Sequence, residues 1–448
     1  VQLLCPRCRQ ALATRRTAEE SLRCGSCQRT YPTLAGIPVL LEQPEERIEI
    51  WAKKLATFSA EIDEALRQLA VDLIDEQLTP RTREKLRLVA DSLPQHRDLV
   101  LSLFAQAGIQ PSQERFSADD YRESILSYYT TIHRDWGWVP EVDEVNPSLQ
   151  AIVEVLPPDF DLGTTLVLGA GTARLCWDLA ERLHHAKAVY ALDVNPLPFL
   201  VTQRLMSGAP VKLFELPGHP RRSTFAARAR VLKANGEPPK GLQLLFADGL
   251  APPFAPGTID TVITPWFVDQ VPSDAAPLID VIRDLLREGG AWINHGPFVY
   301  DSARTKPAHR YAGDEFIQLA KRAHFDVSRA TYEPMQHLGS PLSSHSRTEW
   351  VLTMHATKAA ARDRVPDPEW LQPGRSDSAV VPMLPGLVDL EAPHPMIAAT
   401  AKLIDGERSV AQIAALLVES GEIADANDAT AVVRGCLRVL HEQLHNRD

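Results

Sequence analysis

The chain has 448 residues, 44% of them apolar and 23% charged, which is ordinary composition for a soluble chain of two to four domains. Its 47 basic and 58 acidic residues leave a net charge of −11, which argues against a wholesale polyanion binder. No apolar run approaches the roughly 18–20 residues of a membrane span, and the polar N-terminus argues against a secretory signal. A cytoplasmic location is therefore expected.

Four of the six cysteines fall within the first 27 residues. Cys5-Pro-Arg-Cys8 and Cys24-Gly-Ser-Cys27 form two CxxC knuckles with fifteen residues between them. Each knuckle aims two thiolates at one point, and four thiolates make a closed tetrahedral shell, so a structural zinc ion is expected on Cys5, Cys8, Cys24 and Cys27. With no open position, such a metal would not be catalytic. The following stretch, Tyr31 to Leu40, resembles the end of the small zinc-ribbon activators that clasp methyltransferases. The predicted domains begin with this ribbon, over residues 1–44. Its six arginines against two glutamates in residues 1–40 leave a nucleic-acid contact open, though a solvated face is the commoner reading of arginines on such a ribbon.

Residues 45–115 predict a helical arm. Ile50, Leu55, Ile62, Leu66, Leu69 and Ile74 recur at helical spacing, and Pro80, Pro94 and Pro111 punctuate the segment. No chemistry is expected from it.

From Thr165 the pattern alternates between strands and helices, predicting an α/β domain over 116–358. A buried strand, Thr165–Leu168, runs into the loop Gly169-Ala-Gly171-Thr-Ala. Glycines in that position let a ligand approach the backbone at the carboxyl edge of a parallel sheet. The next strand ends in Asp193, placed to accept hydrogen bonds from ribose hydroxyls, and the third ends in Asp248, placed for an adenine amino group. A fourth strand leads into Thr264-Pro-Trp-Phe-Val-Asp269. A Glu288-Gly-Gly290 turn and a strand over Ala291–Asn294 follow. Each acid alone could merely cap a helix; their order along the chain argues for a nucleotide-type ligand. This succession resembles a class I S-adenosylmethionine-dependent methyltransferase, which implies a Rossmann-like seven-stranded sheet closed by an antiparallel hairpin, and S-adenosylmethionine as cofactor.

Within that class, residues 117–358 resemble the carnosine N-methyltransferase family. His133-Arg-Asp-Trp136 is similar to its Arg-Asp-Trp segment, which implies that Arg134 binds the cofactor's carboxylate. Leu216-Pro-Gly-His-Pro-Arg-Arg-Ser223 lies where the family has an Arg-Arg-Ser element. Trp266-Phe-Val-Asp269 resembles Phe-Phe-Ile-Asp, whose aspartate contacts an imidazole, and Trp292-Ile-Asn-His-Gly-Pro-Phe-Val-Tyr300 resembles a Trp-Ile-Asn segment ending in tyrosine. Two positions depart from the pattern: Asp301 replaces a histidine, and Ser346-Arg347-Thr348 replaces a tyrosine cluster. Both fall in the implied substrate pocket and point to a different or larger acceptor.

The expected catalytic residues are Asp269, Tyr300 and His295. Gly169, Gly171, Asp193, Asp248, Thr264 and Arg134 are expected at the cofactor, and Trp266, Phe267, Asp301 and Arg347 at the acceptor. Thr264-Pro-Trp-Phe also loosely resembles the Asn-Pro-Pro-aromatic motif of amino-group methyltransferases. Methyl transfer to an imidazole or similar nitrogen, on a peptide or small molecule, follows from the resemblance. Transfer to oxygen or carbon of a secondary metabolite or ribosomal peptide is the alternative, and a non-catalytic adaptor is a third reading. His219, Arg221 and Arg222 form either a lid for an acidic group or a solvated loop.

Residues 359–392 read as a proline-rich linker. Beyond it, three helices are expected: His394–Ile404, 410–419 capped by Ser409, and one opened by Asn427. "LIDGERSVAQIAALL" resembles the winged-helix peptide chaperone of pyrroloquinoline quinone synthesis, which implies a winged-helix-like domain over 393–448. Residues 381–448 hold five basic and ten acidic groups, so peptide or protein docking is expected there in preference to DNA.

Overall fold

The computed structural model describes residues 2–12, 21–117, 124–182, 186–234, 236–271 and 274–359 of a first compact unit, residues 1–360. In the second unit, residues 361–448, it describes 369–371, 377–384, 387, 395–423, 426 and 428–445. Most of the expected linker, and Asn427, lie outside the described residues.

The first unit begins with short strands β1 (Leu22–Arg23), β2 (Thr30–Tyr31), β3 (Thr33–Leu34) and β4 (Ile37–Leu40). Two long helices follow, α1 (Pro44–Asp72) and α2 (Pro80–Gln106), each with a proline in its first turn where no amide hydrogen is needed. Pro94 was expected to break the segment, yet it lies inside α2. Flanking side chains cover carbonyls near it: Ser92 Oγ donates to Leu88 O and Gln95 Nε2 to Asp91 O. The apolar stripe of α1 (Trp51, Leu55, Phe58, Ile62) then packs with Leu93, Val100 and Phe104 of α2.

A single turn α3 (Tyr129–Ile132) continues as a π-helical turn, His133–Gly137, and α4 spans Val145–Val155. The alternating segment comprises β5 (Gly163–Leu168), α5 (Arg174–Arg182), β6 (Ala186–Asp193), α6 (Pro196–Met206), the hairpin β7 (Val211–Glu215) and β8 (Arg228–Leu232), and β9 (Leu242–Ala247). It continues with β10 (Ile259–Pro265), α7 (Ala276–Leu285), β11 (Leu286–Gly296), α8 (Gly313–Arg322), β12 (Phe325–His337) and β13 (Arg347–Lys358).

The sheet order is β12-β13-β11-β10-β5-β6-β9-β4-β3. Its central strands β11, β10, β5, β6 and β9 are parallel, and β13 is antiparallel to β11 and to β12. Chain order therefore reverses at β5, which puts the glycine loop at the switch point where such sheets bind ligands. The α/β class and the Rossmann-like sheet with its closing hairpin are both present.

Two features differ from the sequence expectation. The Glu288-Gly-Gly290 turn is a bulge within β11, because the register to β10 shifts between Leu286 and Ala291 while pairing continues. The ribbon is also no separate body: β4 pairs parallel with β9, Val39 opposite Phe246, and extends the main sheet.

Period-two alternation divides the strands between two cores. Leu166, Leu168 and Leu192 face α7, α8 and the ribbon residues Cys5, Leu12 and Tyr31, whereas Val167, Val189 and Ala191 face α1, α2, α4, α5 and α6.

In the second unit, α9 (Pro395–Lys402), α10 (Val410–Glu419) and α11 (Ala429–His445) enclose a core of Ile404, Val410, Ile413, Leu417, Val433, Leu437 and Leu440. Ser409 caps α10 in a reciprocal box with Gln412, as the sequence predicts.

Candidate functional site

The four N-terminal sulfurs lie within 4.8 Å of one another, with Cys5–Cys27 and Cys8–Cys24 each at 3.6 Å. Tetrahedral zinc at about 2.3 Å from each thiolate requires sulfurs about 3.8 Å apart, so the cage fits that ion. Both knuckles close in the same way: Arg9 N donates to Cys5 O and Gln28 N to Cys24 O, with Arg9 and Gln28 in the left-handed region. The Tyr31 hydroxyl lies 3.0 Å from Cys5 Sγ. Arg9 then anchors the ribbon, donating from Nη1 to Pro252 O at 2.9 Å and from Nη2 to Phe254 O at 3.1 Å. The metal cage is thus tied to the loop that follows Asp248.

At the switch point, Gly169 and Gly171 adopt φ of +69° and +54°, which β-carbon-bearing residues rarely do. Asp193 Oδ2 accepts from Gly171 N and Oδ1 from Asn195 N, both at 2.8 Å. Each oxygen keeps a second acceptor site. Burial pushes the Asp193 carboxyl up to about 6, against the lowering effect of those amides. A cavity of about 260 Å³ runs from Asp193 and Val194 to Asp248, Gly249 and Leu250. Val194, 42% exposed, offers an apolar face beside the acid. This row of acid, apolar face and second acid at the strand ends fits the ribose and adenine of a nucleoside.

The Phe267 ring is wedged between the two loops. A β-carbon on Gly169 would lie 2.3 Å from the ring and one on Gly249 2.7 Å, so both positions need glycine. Across it, a second cavity of about 380 Å³ shares Tyr128, Gly169, Trp266 and Gln270 with the first. Arg134, Asp269 and Arg347 also line it. Arg134 Nε donates to Asp135 Oδ1 at 2.6 Å, and Asp135 in turn accepts from the Thr172 hydroxyl of the glycine loop. Arg134 is partly buried, and Asp135 and Glu144 keep its guanidinium firmly charged.

Asp269 is 6% exposed and accepts from Gln270 Nε2 at 3.1 Å and Val299 N at 3.2 Å. Burial raises its carboxyl to about 6. Trp266, at φ +50°, donates its backbone amide to His295 O at 2.7 Å, and its ring stacks on His337 at 4.3 Å and 19°. His337 is held neutral, near 3, by burial and by Arg134 and Arg347. Arg347 Nε pairs with buried Glu349 at 2.6 Å.

Several expected residues sit elsewhere. Thr264 is buried and fully used: its hydroxyl donates to Asn294 Oδ1 and accepts from Trp292 Nε1, both at 3.0 Å, while neighbouring Pro265 lines the cavity instead. His295 is buried in β11 with Nδ1 2.8 Å from the Thr353 hydroxyl, and burial lowers it to about 3, so its carbonyl, not its ring, serves the site. Tyr300 lines neither cavity. Asp301 is exposed and accepts from Ala303 N in a surface turn, outside both cavities.

Other contributors were not expected. Arg47, Trp51 and Lys54 bring the helical arm to the wall of the cavity beside Asp193. Glu144 enters from the start of α4, where its two oxygens accept from Leu338 N and Gly339 N at 2.9 and 2.7 Å. Glu349 was readable in principle, since i and i+2 residues share a strand face and Arg347 was already placed.

No protein-family model matches the sequence, and no curated protein does so. Among solved structures, the chain is similar to an S-adenosylmethionine-dependent methyltransferase from Methanosarcina mazei, at 12% identity, covering 46% of this chain and 96% of the other with a TM-score of 0.33. It is similar to a Listeria monocytogenes protein assigned as an S-adenosylmethionine-dependent methyltransferase, at 14% identity, 48% and 99% coverage and a TM-score of 0.34. A Haloferax volcanii complex, of a methyltransferase activator with a protein assigned as a methyltransferase, gives 13% identity, 54% and 100% coverage and a TM-score of 0.33.

Proposed function

We propose that the chain is an S-adenosylmethionine-dependent N-methyltransferase acting on an imidazole or similar nitrogen of a peptide or small molecule. The observation that carries this reading is the position of Asp269. It is a buried carboxylate raised to about 6, on the wall of the cavity that starts at the glycine loop and faces Arg134.

S-adenosylmethionine supplies, when bound, an electrophilic methyl group on a sulfonium. Asp193 and Asp248 would hold the ribose and adenine, Val194 would cover the base, and Arg134 would pair with the terminal carboxylate. Trp266, fixed by His295 O and backed by His337, gives a flat wall against which an acceptor ring can lie. Methyl transfer is an in-line displacement, so alignment of the nitrogen lone pair supplies much of the rate. Asp269 would accept the N–H on the far side of the acceptor ring, orient the lone pair and take the proton that the nitrogen gives up on methylation. A carboxyl group near 6 is ionised at neutral pH and ready for that proton.

The test is methyl-labelled S-adenosylmethionine with histidine-containing peptides and matched peptides lacking histidine. Labelling confined to the histidine set supports the assignment, whereas equal labelling of both sinks the imidazole acceptor. Cofactor binding with no turnover on any acceptor would favour the adaptor.

A further inference from the structure

Residues 211–240 carry seven basic and two acidic groups in a chain whose net charge is −11. One basic group is consumed internally: Arg230 Nε pairs with Glu215 Oε2 at 2.6 Å, both side chains 6% exposed. Lys212, Arg221, Arg222, Arg228, Lys233 and Lys240 remain exposed, and none joins a salt bridge among the described residues.

Their position is fixed by the chain segment joining β12 to β13. Arg221 N donates to Leu342 O at 2.9 Å, Ser344 N donates to His219 O at 2.8 Å, and Pro220 bridges Ser343. That segment starts at His337 and Leu338 and ends at Arg347, all of which line the cavity beside Asp269. The basic tip is therefore joined to the wall of the cavity beside Asp269, at Arg347, whose side chain is 53% exposed and pairs with Glu349. Arg222 is partly pre-ordered, its guanidinium 5.7 Å from the centre of the Phe225 ring.

We propose that this hairpin is a docking surface for an acidic peptide segment, held close to the residue that enters the cavity. Field and size select the partner. A long nucleic acid would extend beyond the hairpin and meet the strongly acidic remainder of the chain, whereas a short acidic segment spans only the positive zone. Clustered charge of this kind steers encounter and weakens with salt. The inference rests on the hairpin and its attachment, and stands whether or not the cavity transfers methyl groups to nitrogen.

The test uses the full chain and fluorescence anisotropy with three labelled probes: a ten-residue Glu-Ser peptide, a matching Lys-Ser peptide and a ten-nucleotide uridine RNA. Expected is preferential binding of the Glu-Ser peptide, weakened at least about tenfold between 50 and 300 mM salt. Arg221→Ser/Arg222→Ser/Arg228→Ser should weaken it by at least about tenfold while S-adenosylhomocysteine affinity stays unchanged. Lys212→Ser/Lys233→Ser should lower it less, and guards against a folding defect in the triple variant. Unchanged peptide affinity in both variants, or tighter binding of the RNA than of the Glu-Ser peptide, overturns the proposal.

Discussion

Asp193 accepts the amide of Gly171 at 2.8 Å, so the acid at the end of β6 and the glycine loop after β5 form one hydrogen-bonded unit. The carboxylate shapes the loop even before any ribose arrives. Asp193→Ala should therefore lose loop order as well as ligand contacts. Hydrogen bonds to a charged group contribute about 1.5–3 kcal/mol, or roughly 10- to 100-fold in affinity. Calorimetric titration with S-adenosylhomocysteine, beside a melting curve, checks both effects. Asp193→Asn should keep more of the melting temperature than Asp193→Ala.

Asp269 predicts a pH signature. As its carboxyl protonates below about 6, kcat/KM for a nitrogen acceptor should fall as the pH drops. Asp269→Asn should reduce turnover by about 10²–10⁴ and abolish that limb, with little change in cofactor affinity. A stability effect of opposite direction accompanies it. The folded pKa lies above the unfolded value of 3.8, so the folded state favours the protonated form, and this contribution fades as pH rises through about 6. Asp269→Asn should consequently be more stable than the parent at pH 7, by about 1–3 kcal/mol at most, and equal to it below pH 4. Denaturant melts at the two pH values measure the difference.

The glycine loop and the strand-end acids were legible in the sequence because they are local features. Gly169, Gly171, Asp193 and Asp248 each follow a strand, and strand patterns are legible from alternation and punctuation. The cavity beside Asp269 is built from separate parts of the chain, and there the reading was weaker. His337 and Glu349 meet Trp266 and Asp269 only through the β12–β13 register, which pairs His337 with Arg347. Thr264 was misplaced by one residue, because the strand continues to Pro265 and turns the threonine into the core. Asp301 followed a family position, but the backbone turns back to cap itself at 301–305. The arm's part in the cavity depends on Trp51 packing on Phe246 across the sheet, which no local pattern encodes.

Removing the metal should do more than unfold a terminal appendage. The ribbon supplies β4 to the sheet edge and, through Arg9, holds Pro252 and Phe254 behind Asp248. Treatment with a thiol-reactive mercurial in the presence of a zinc indicator should release one equivalent of zinc. Melting temperature and S-adenosylhomocysteine affinity should fall together. Arg9→Ala tests the connection without touching the cage: zinc content should be retained while affinity drops. Loss of zinc with unchanged cofactor affinity would show that the ribbon and the adenine loop are uncoupled.

The Glu215–Arg230 pair predicts a non-additive response. Glu215 also accepts from Trp138 Nε1 at 3.0 Å and from the Ser340 hydroxyl, and Arg230 Nη1 donates to Gly137 O at 3.2 Å. The pair thus joins the β7–β8 hairpin, the π-helical turn that presents Arg134, and the segment after His337. Arg230→Met leaves the buried Glu215 charge unmatched, at a cost of about 3–5 kcal/mol, while Glu215→Leu leaves Arg230 only the half-exposed Glu141 at 3.0 Å. Arg230→Met and Glu215→Leu should each destabilise the chain strongly, whereas the double variant should recover much of that loss, since apolar side chains can replace a buried pair. Cofactor affinity should not recover in parallel, because the double variant no longer anchors Gly137 and so leaves the Arg134 turn free to shift. Chemical denaturation and S-adenosylhomocysteine titration of the three variants separate the two effects.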